Sequence, residues 1–383
     1  MARPLDGLVV LSLAEQYPGP YATMLMADLG ADVILIERPA GGDPARQFPA
    51  FFAALNRNKR SVILDLKSAG GRGALLALAR RADVLLEGFR PKTMDRLGLG
   101  YEVLAAVNPL LVYLSVSGFG QDGPYRDRPA HDLSYQAITG VFFRHARASQ
   151  PALKIPDVAI GDLSAGMFTV LGALAAIVER SRTGRGSYVD VSMTDGLVSW
   201  MTAFLAPIMN GQAPVEFGAE PGYGVFACGD GQLLTLSVAH EDWFWRPLCS
   251  VTGLTTAANL GHAARVARSG ELKKRLADTL RSQPRNHWGA LFDEHGIPWA
   301  PVSDLSEVVA DPHFGSHQMF RQVPEAGGAS SWHVSQPLSF GGVRPGPTRP
   351  APALGEHTLE VLKQFGLSAS EITAAVGSTA AVG

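Results

Sequence analysis

Apolar positions in the first third of the chain fall into short β-branched runs separated by stretches with helical spacing, the pattern of βαβ units that build a parallel sheet. Residues 8–13 read as a strand, Gly19-Pro20 as a turn and a favourable first helical position, 21–29 as a helix stopped by Gly30, and 33–37 as a second strand. Strands are predicted again at 62–66, 83–87 and 111–116, with helical connections at 75–81, near Met94 and at 101–107. Residues 158–161 lead into a long apolar helix through Val178, and the 182–186 turn precedes a strand at 188–191. The alternation predicts an α/β fold with a doubly wound sheet. The helix face carrying Met167, Leu171 and Leu174 reads as core.

Beyond about residue 209 the alternation stops. Gly/Pro-punctuated stretches such as 212–224 and a strand at 233–238 predict a smaller α+β domain over 209–325, after a large domain over 1–208. Residues 326–383 contain a Gly/Pro-rich connector at 341–354 and two terminal helices at 359–365 and 369–376. No internal repeat of solenoid or propeller period is present.

A length of 383 residues leaves room for two or three domains and a large core. With 46% hydrophobic and 18% charged residues and a net charge of -2, there is no polybasic field, and nucleic acid is not expected as a partner. Cys228 and Cys249 are too few for a disulfide framework, and the first residues lack a basic segment followed by an apolar one. The apolar run 165–178, flanked by Asp162 and Glu179, is shorter than a bilayer span. A reduced, cytoplasmic protein without a membrane anchor is expected.

Strand, Gly-Pro turn, helix and a strand ending in Glu37 suggest dinucleotide binding, but Gly19 lacks the spaced glycines that let backbone approach a pyrophosphate, and Arg38 suits a phosphate better than ribose hydroxyls. Arg57, Lys59 and Arg60 precede a predicted strand, Arg90 follows one and Arg96 opens the next turn. Each alone reads as a solvated charge. Together, near the strand ends of a doubly wound sheet, they suit a polyphosphate nucleotide. His131-Asp132 follows the glycine-rich 117–123 loop, either as a site or as a turn histidine with Asp132 capping a helix through 135–139. Asp162 heads the apolar helix, where a carboxylate is either an N-cap or a reactive acid beside amides able to stabilise an oxyanion. Glu241, in Ala-His-Glu-Asp-Trp, either orients a histidine or simply opens a helix. His313 and His317 have zinc-pair spacing, but Pro312 and Gly315 interrupt the helix such a pair needs, so no metal is expected.

Taken in series, several segments resemble the class III coenzyme A transferases: 13–39 (LAEQYPGPYATMLMADLGADVILIERP), 56–65 (NRNKRSVILD), 87–91 (EGFRP), 117–124 (SGFGQDGP), Gly161-Asp162, 182–192 (RTGRGSYVDVS), 301–314 and 354–358 (LGEHT). The resemblance implies a Rossmann-like large domain formed by both chain ends, so that 326–383 returns to it, a smaller middle domain, and an interlocked homodimer. It further implies that Gln16, Arg38, Leu55 to Asn58, Arg90 and Arg96 contact coenzyme A, and that Asp162 is the reactive aspartate. Coenzyme A would then belong to the substrate, an acyl-CoA thioester, with no prosthetic group required.

Two chemistries share this scaffold. Transferases use the aspartate as a nucleophile and pass coenzyme A to a carboxylic acid acceptor, whereas α-methylacyl-CoA racemases use a histidine and an aspartate as acid and base. His131-Asp132 resembles the Gly-His-Asp of the racemases, with Ala130 in place of their glycine, while Gly161-Asp162 and Gln136-Ala137 look like the transferases. The glycine tetrad of formyl-CoA transferase has no counterpart in Gly222-Tyr223-Gly224, so formate and oxalate are not expected substrates. Transfer stands ahead of racemisation because the family holds more transferases, and a non-catalytic CoA-binding protein is the third reading.

Overall fold

Runs of Val, Ile and Leu buried on both faces form the centre of the larger of two compact units, as expected for a parallel sheet covered by helices on either side. The computed structural model describes residues 3–147, 157–214 and 218–376. Strands β1 (Val9–Ser12), β2 (Asp32–Glu37), β3 (Arg60–Ile63), β4 (Val84–Glu87), β5 (Val112–Ser117) and β6 (Tyr188–Ser192) make one parallel sheet in the order β3-β2-β1-β4-β5-β6. Leu11 of β1 stands opposite Ile34 of β2 on one side and Leu85 of β4 on the other. Strand order therefore reverses between β1 and β4, which opens a crevice beyond their C-terminal ends. One polar strand start departs from the expected pattern. β3 begins at Arg60 instead of Val62, because the Arg60 guanidinium folds back onto Asp32 of the neighbouring strand.

The helix Pro18–Asp28 follows β1 with proline at its first position. Its start packs so tightly that a Cβ on Gly19 would lie 2.1 Å from that of Ala14. The long helix runs from Ile160 to Thr183 and closes on Gly184 in the left-handed conformation. At 24 residues it is longer than the sequence suggested, and by length and composition it is apolar enough to cross a membrane. In the fold it lies against Pro18–Asp28, β5 and β6. Its inward face is only partly the expected one, for Leu174 packs against the core but Met167 and Leu171 do not. Small residues, Ala165, Thr169, Ala173 and Ala176, face the core and let the helices approach closely, while Met167, Leu171 and Val178 are 51%, 61% and 59% exposed.

The chain from Phe314 onward packs with the first 202 residues as one unit. The division falls before Ala203 and before Phe314, not at 208/209 and 325/326. The hairpin of β10 (Phe320–Pro324) and β11 (Ser330–Val334) is tied to the connector, with Arg344 donating to the His317 carbonyl and Arg321 to that of Arg344. The connector docks on Asn58, whose left-handed backbone (φ 64°) donates its N–H to Arg349 and whose side-chain oxygen accepts the amides of Thr348 and Arg349 at 2.8 and 2.9 Å. The edge of β3 is then closed by the C-terminal segment. His357 donates its amide to the Ser61 carbonyl, the Thr358 hydroxyl accepts the Ile63 amide at 3.0 Å, and the Ala375 carbonyl accepts that of Asp65. Helices Thr358–Gln364 and Ala369–Val376 cover the flank.

The second unit, Ala203–His313, holds an antiparallel sheet of β7 (Tyr223–Ala227), β8 (Leu233–Ser237) and β9 (Trp299–Pro301) over a core that includes Trp245, Leu248, Leu272, Leu276 and Phe292. A five-residue helix, Pro312–Ser316, does form around Pro312 and Gly315, since proline is tolerated in a first turn, and it stops before His317. Among the described residues no group of three His, Cys, Asp or Glu could hold a metal ion.

Candidate active site

Loops leaving β1, β4 and β5 surround a cavity of about 920 Å³ at the strand-order reversal, lined by Gln16, Arg90, Arg96, His131 and Asp162 among others. Each is placed by its own stretch of backbone. Gln16 has a positive φ of 67° and is held there by the Asp43 carboxylate, which accepts its amide at 3.1 Å and that of Ala45 at 2.8 Å. Arg90 follows the buried end of β4, and Arg96 sits one short helix later, donating to the Thr93 hydroxyl at 2.8 Å. His131 is the residue before the Asp132–Ile138 helix, and its exposed imidazole makes no hydrogen bond within the described residues.

Asp132 does not cap its own helix. It is that helix's first residue, and its carboxylate crosses to the start of the long helix, accepting the amides of Gly161 at 2.7 Å and Asp162 at 3.1 Å. Gln136, one turn on, donates to the other Asp132 oxygen. Glycine at 161 is what permits this approach, because a Cβ there would stand 2.7 Å from the Asp132 oxygen. The favourable potential of the helix end is thus taken up by Asp132. Asp162, third residue of the helix and not its cap, is left with a carboxyl that has no hydrogen-bond partner among the described residues. Burial, and after it the charge of Asp132, push it up to about 7. The same groups act on two neighbouring phenols. Burial and then Asp162 raise Tyr17, and burial, Asp162 and Asp132 raise Tyr135 to about 12. A carboxyl poised near neutrality at the edge of a cavity can act as a nucleophile or as an acid and base.

Other expected residues lie elsewhere. Arg38 is exposed beyond β2, donating to the Gly42 carbonyl at 2.8 Å, and does not line this cavity. Leu55 lines a separate, largely apolar cavity of about 1050 Å³ with Tyr17 and Trp332, and Asn58 is buried under the connector. Arg57, Lys59 and Arg60 do not form a phosphate-binding loop. All three are buried, Arg57 on Asp28, Arg60 on Asp32, and Lys59 on the Pro20 carbonyl and the Asn56 side chain. Desolvation lowers Lys59 to about 7. Glu241 belongs to the second unit, precedes the Asp242–Val251 helix, and accepts the Ala239 amide at 3.1 Å.

The cavity also contains residues that the sequence reading passed over. Glu15 is half-buried, and desolvation raises its carboxyl despite the nearby Arg38. Arg126 pairs with Asp127, and Arg128 lies over the Tyr125 ring at 5.3 Å. The two arginines sit in the Arg-Asp-Arg segment after the glycine-rich loop, so their position behind β5 was the available signal.

Comparison with known proteins supplies the family. The model of CoA-transferase family III matches residues 5–358. An acetyl-CoA:oxalate CoA-transferase of Acetobacter aceti is 34% identical, over 94% of this chain and 96% of that protein. A human α-methylacyl-CoA racemase is 33% identical, over 96% of this chain and 95% of its own length. Among solved structures, a CAIB/BAIF family protein from Brucella suis superposes with a TM-score of 0.83 at 29% identity, covering 95% of this chain and all of that one.

Proposed function

Because the chain belongs to CoA-transferase family III, we propose that it moves coenzyme A from an acyl-CoA thioester to a carboxylic acid, with Asp162 as the nucleophile. The supporting observation is the half-buried Asp162 carboxyl, without a hydrogen-bond partner among the described residues and raised to about 7, in the lining of the cavity. Its carboxylate attacks the thioester carbonyl and expels coenzyme A thiolate, leaving an aspartyl–acyl anhydride. The thiolate then attacks the aspartyl carbonyl and releases the first acid, giving an aspartyl-CoA thioester. The acceptor carboxylate reverses both steps and departs as its own CoA thioester. Oxalate belongs in the acceptor panel because the Acetobacter aceti relative is named for it.

A second reading, α-methylacyl-CoA racemisation, is favoured by the free imidazole of His131 in the same cavity. The two are separated by incubating a chiral 2-methylacyl-CoA in heavy water and, in parallel, an acyl-CoA with a panel of acids. We expect acceptor-dependent exchange, an Asp162 adduct trapped by hydroxylamine, and transfer that survives His131→Ala. Deuterium at the α-carbon with inversion and no acceptor requirement would establish the racemase instead.

Arg90 and Arg96 are proposed to hold coenzyme A, with Arg38 at the phosphate end and Gln16 along the crevice. Calorimetry on Arg38→Ala should show affinity falling by about tenfold or more, the usual size of a lost charge-assisted contact. Unchanged affinity would remove Arg38 from the site. We also propose a homodimer, since the outward stripe of Met167, Leu171 and Val178 is apolar surface that a second copy would cover. Sedimentation as a monomer at nanomolar concentration would contradict it.

A further inference from the structure

Directly behind the crevice sits a buried carboxyl that the proposed chemistry does not use. Glu87 ends β4 and is 5% exposed. One of its oxygens accepts the Phe89 amide at 2.8 Å, and the other takes the Ser115 hydroxyl from β5. The Ser115 oxygen in turn accepts the Gln121 side-chain N–H at 2.8 Å, and the Gln121 backbone amide donates to Asp190 of β6 at 2.8 Å. A chain of hydrogen bonds thus links the turn 88–91 to the glycine-rich loop 117–121, and the turn and residues 117–119 of the loop line the cavity.

We propose that Glu87 is a positioning residue that braces these two loops against each other through Ser115 and Gln121 and thereby aims Arg90 at coenzyme A. Arg90 has no hydrogen bond or ion pair of its side chain within the described residues, so its direction comes from the backbone that carries it. That backbone is fixed at two points, the Phe89 amide on Glu87 and the Arg90 carbonyl, which accepts the Thr93 amide at 3.1 Å. The strand ladder does not depend on the brace, since Glu87 and Ser115 are already paired in register through their backbones. Burial opposes a charge here and pushes the Glu87 carboxyl up to about 7, so the position serves as a holder of two hydrogen bonds more than as an anion. A glutamine can make the same two contacts, accepting from Phe89 and donating to Ser115.

The inference rests on Arg90 being a coenzyme A contact, and the test separates the two ideas. Coenzyme A itself is titrated calorimetrically into wild type, Arg90→Ala, Gln121→Ala, Glu87→Ala, Glu87→Gln and Gln121→Ala combined with Arg90→Ala. Gln121 is half-exposed at the outer end of the chain of bonds, so its replacement keeps the test alive if Glu87→Ala does not fold. We expect Arg90→Ala and Gln121→Ala each to weaken binding by roughly tenfold, Glu87→Gln to bind as wild type, and the double variant to be no weaker than Arg90→Ala alone. Unchanged affinity in Gln121→Ala and Glu87→Ala beside a weakened Arg90→Ala would overturn the brace alone. Additive losses in the double variant would also overturn it. Unchanged affinity in Arg90→Ala would overturn the coenzyme A contact on which it rests.

Discussion

Asp162→Asn is expected to abolish turnover of acyl-CoA, by about 10⁴-fold or more, and to make the protein more stable above neutral pH. The first effect follows from the proposed mechanism, in which an amide in place of the Asp162 carboxylate cannot form the aspartyl anhydride. The second follows from the environment. The folded chain raises this carboxyl from 3.8 to about 7, so between those values the folded state holds a proton that the unfolded state has released. Whatever stability the site contributes is therefore present below about pH 4 and lost as pH rises through 7. Asparagine carries no charge and escapes that loss. With a discount for solvent in the open cavity, the advantage of Asn over wild type at pH 8 should reach on the order of 2 kcal/mol. Thermal denaturation of both proteins at pH 5 and pH 8 reads it directly. A difference that does not grow with pH would show that Asp162 is not held towards its neutral form. In wild type the transfer rate should rise as pH climbs through about 7 if the carboxylate is the nucleophile, as proposed.

Gly161→Ala should lower turnover about 100-fold while coenzyme A affinity stays within about twofold of wild type. An added Cβ meets the Asp132 oxygen at 2.7 Å and the Leu197 side chain at 3.3 Å, so the carboxylate bridge between the two helices must shift and Asp162 with it. Asp132→Asn is the informative contrast. Its oxygen still accepts the amides of Gly161 and Asp162, but the charge that helps to raise Asp162 is gone, so activity should persist with its acid limb moved to lower pH. Single-turnover rates across pH for the two variants check both statements. Equal behaviour of the two would mean that geometry at this helix end is unimportant.

The strands were legible because each is a β-branched run sealed between helices, and residues 33–37 and 188–191 differ from β2 and β6 only at one end. β3 was placed two residues late since Arg60 and Ser61 look like loop residues, and their pairing with Asp32 and the C-terminal segment is a tertiary event. The long helix was found, but not which way it faces. A helix apolar on several sides gives no periodic clue when its core stripe is made of alanines. Asp162 and His131 were readable as a pair only through family resemblance. The Asp132 bridge that tunes Asp162 spans elements about 30 positions apart, which no local pattern encodes. Arg57, Lys59 and Arg60 look like a phosphate loop in one dimension, and only the fold supplies the buried Asp28 and half-buried Asp32 that pair with Arg57 and Arg60.

The way the C-terminal segment seals β3 has a consequence during synthesis. From Ile63 to Thr358 the ribosome must add 358 − 63 = 295 residues, roughly 15–60 s at ordinary elongation rates. Once the sheet forms, its outer strand would leave the Ile63 amide and Ser61 carbonyl, which Thr358 and His357 engage in the folded chain, open to a neighbouring strand until the C-terminal segment is made. Newly made chains clustered on one messenger would be most exposed to mispairing at this edge, and a holding chaperone would be most useful there until the last helices emerge.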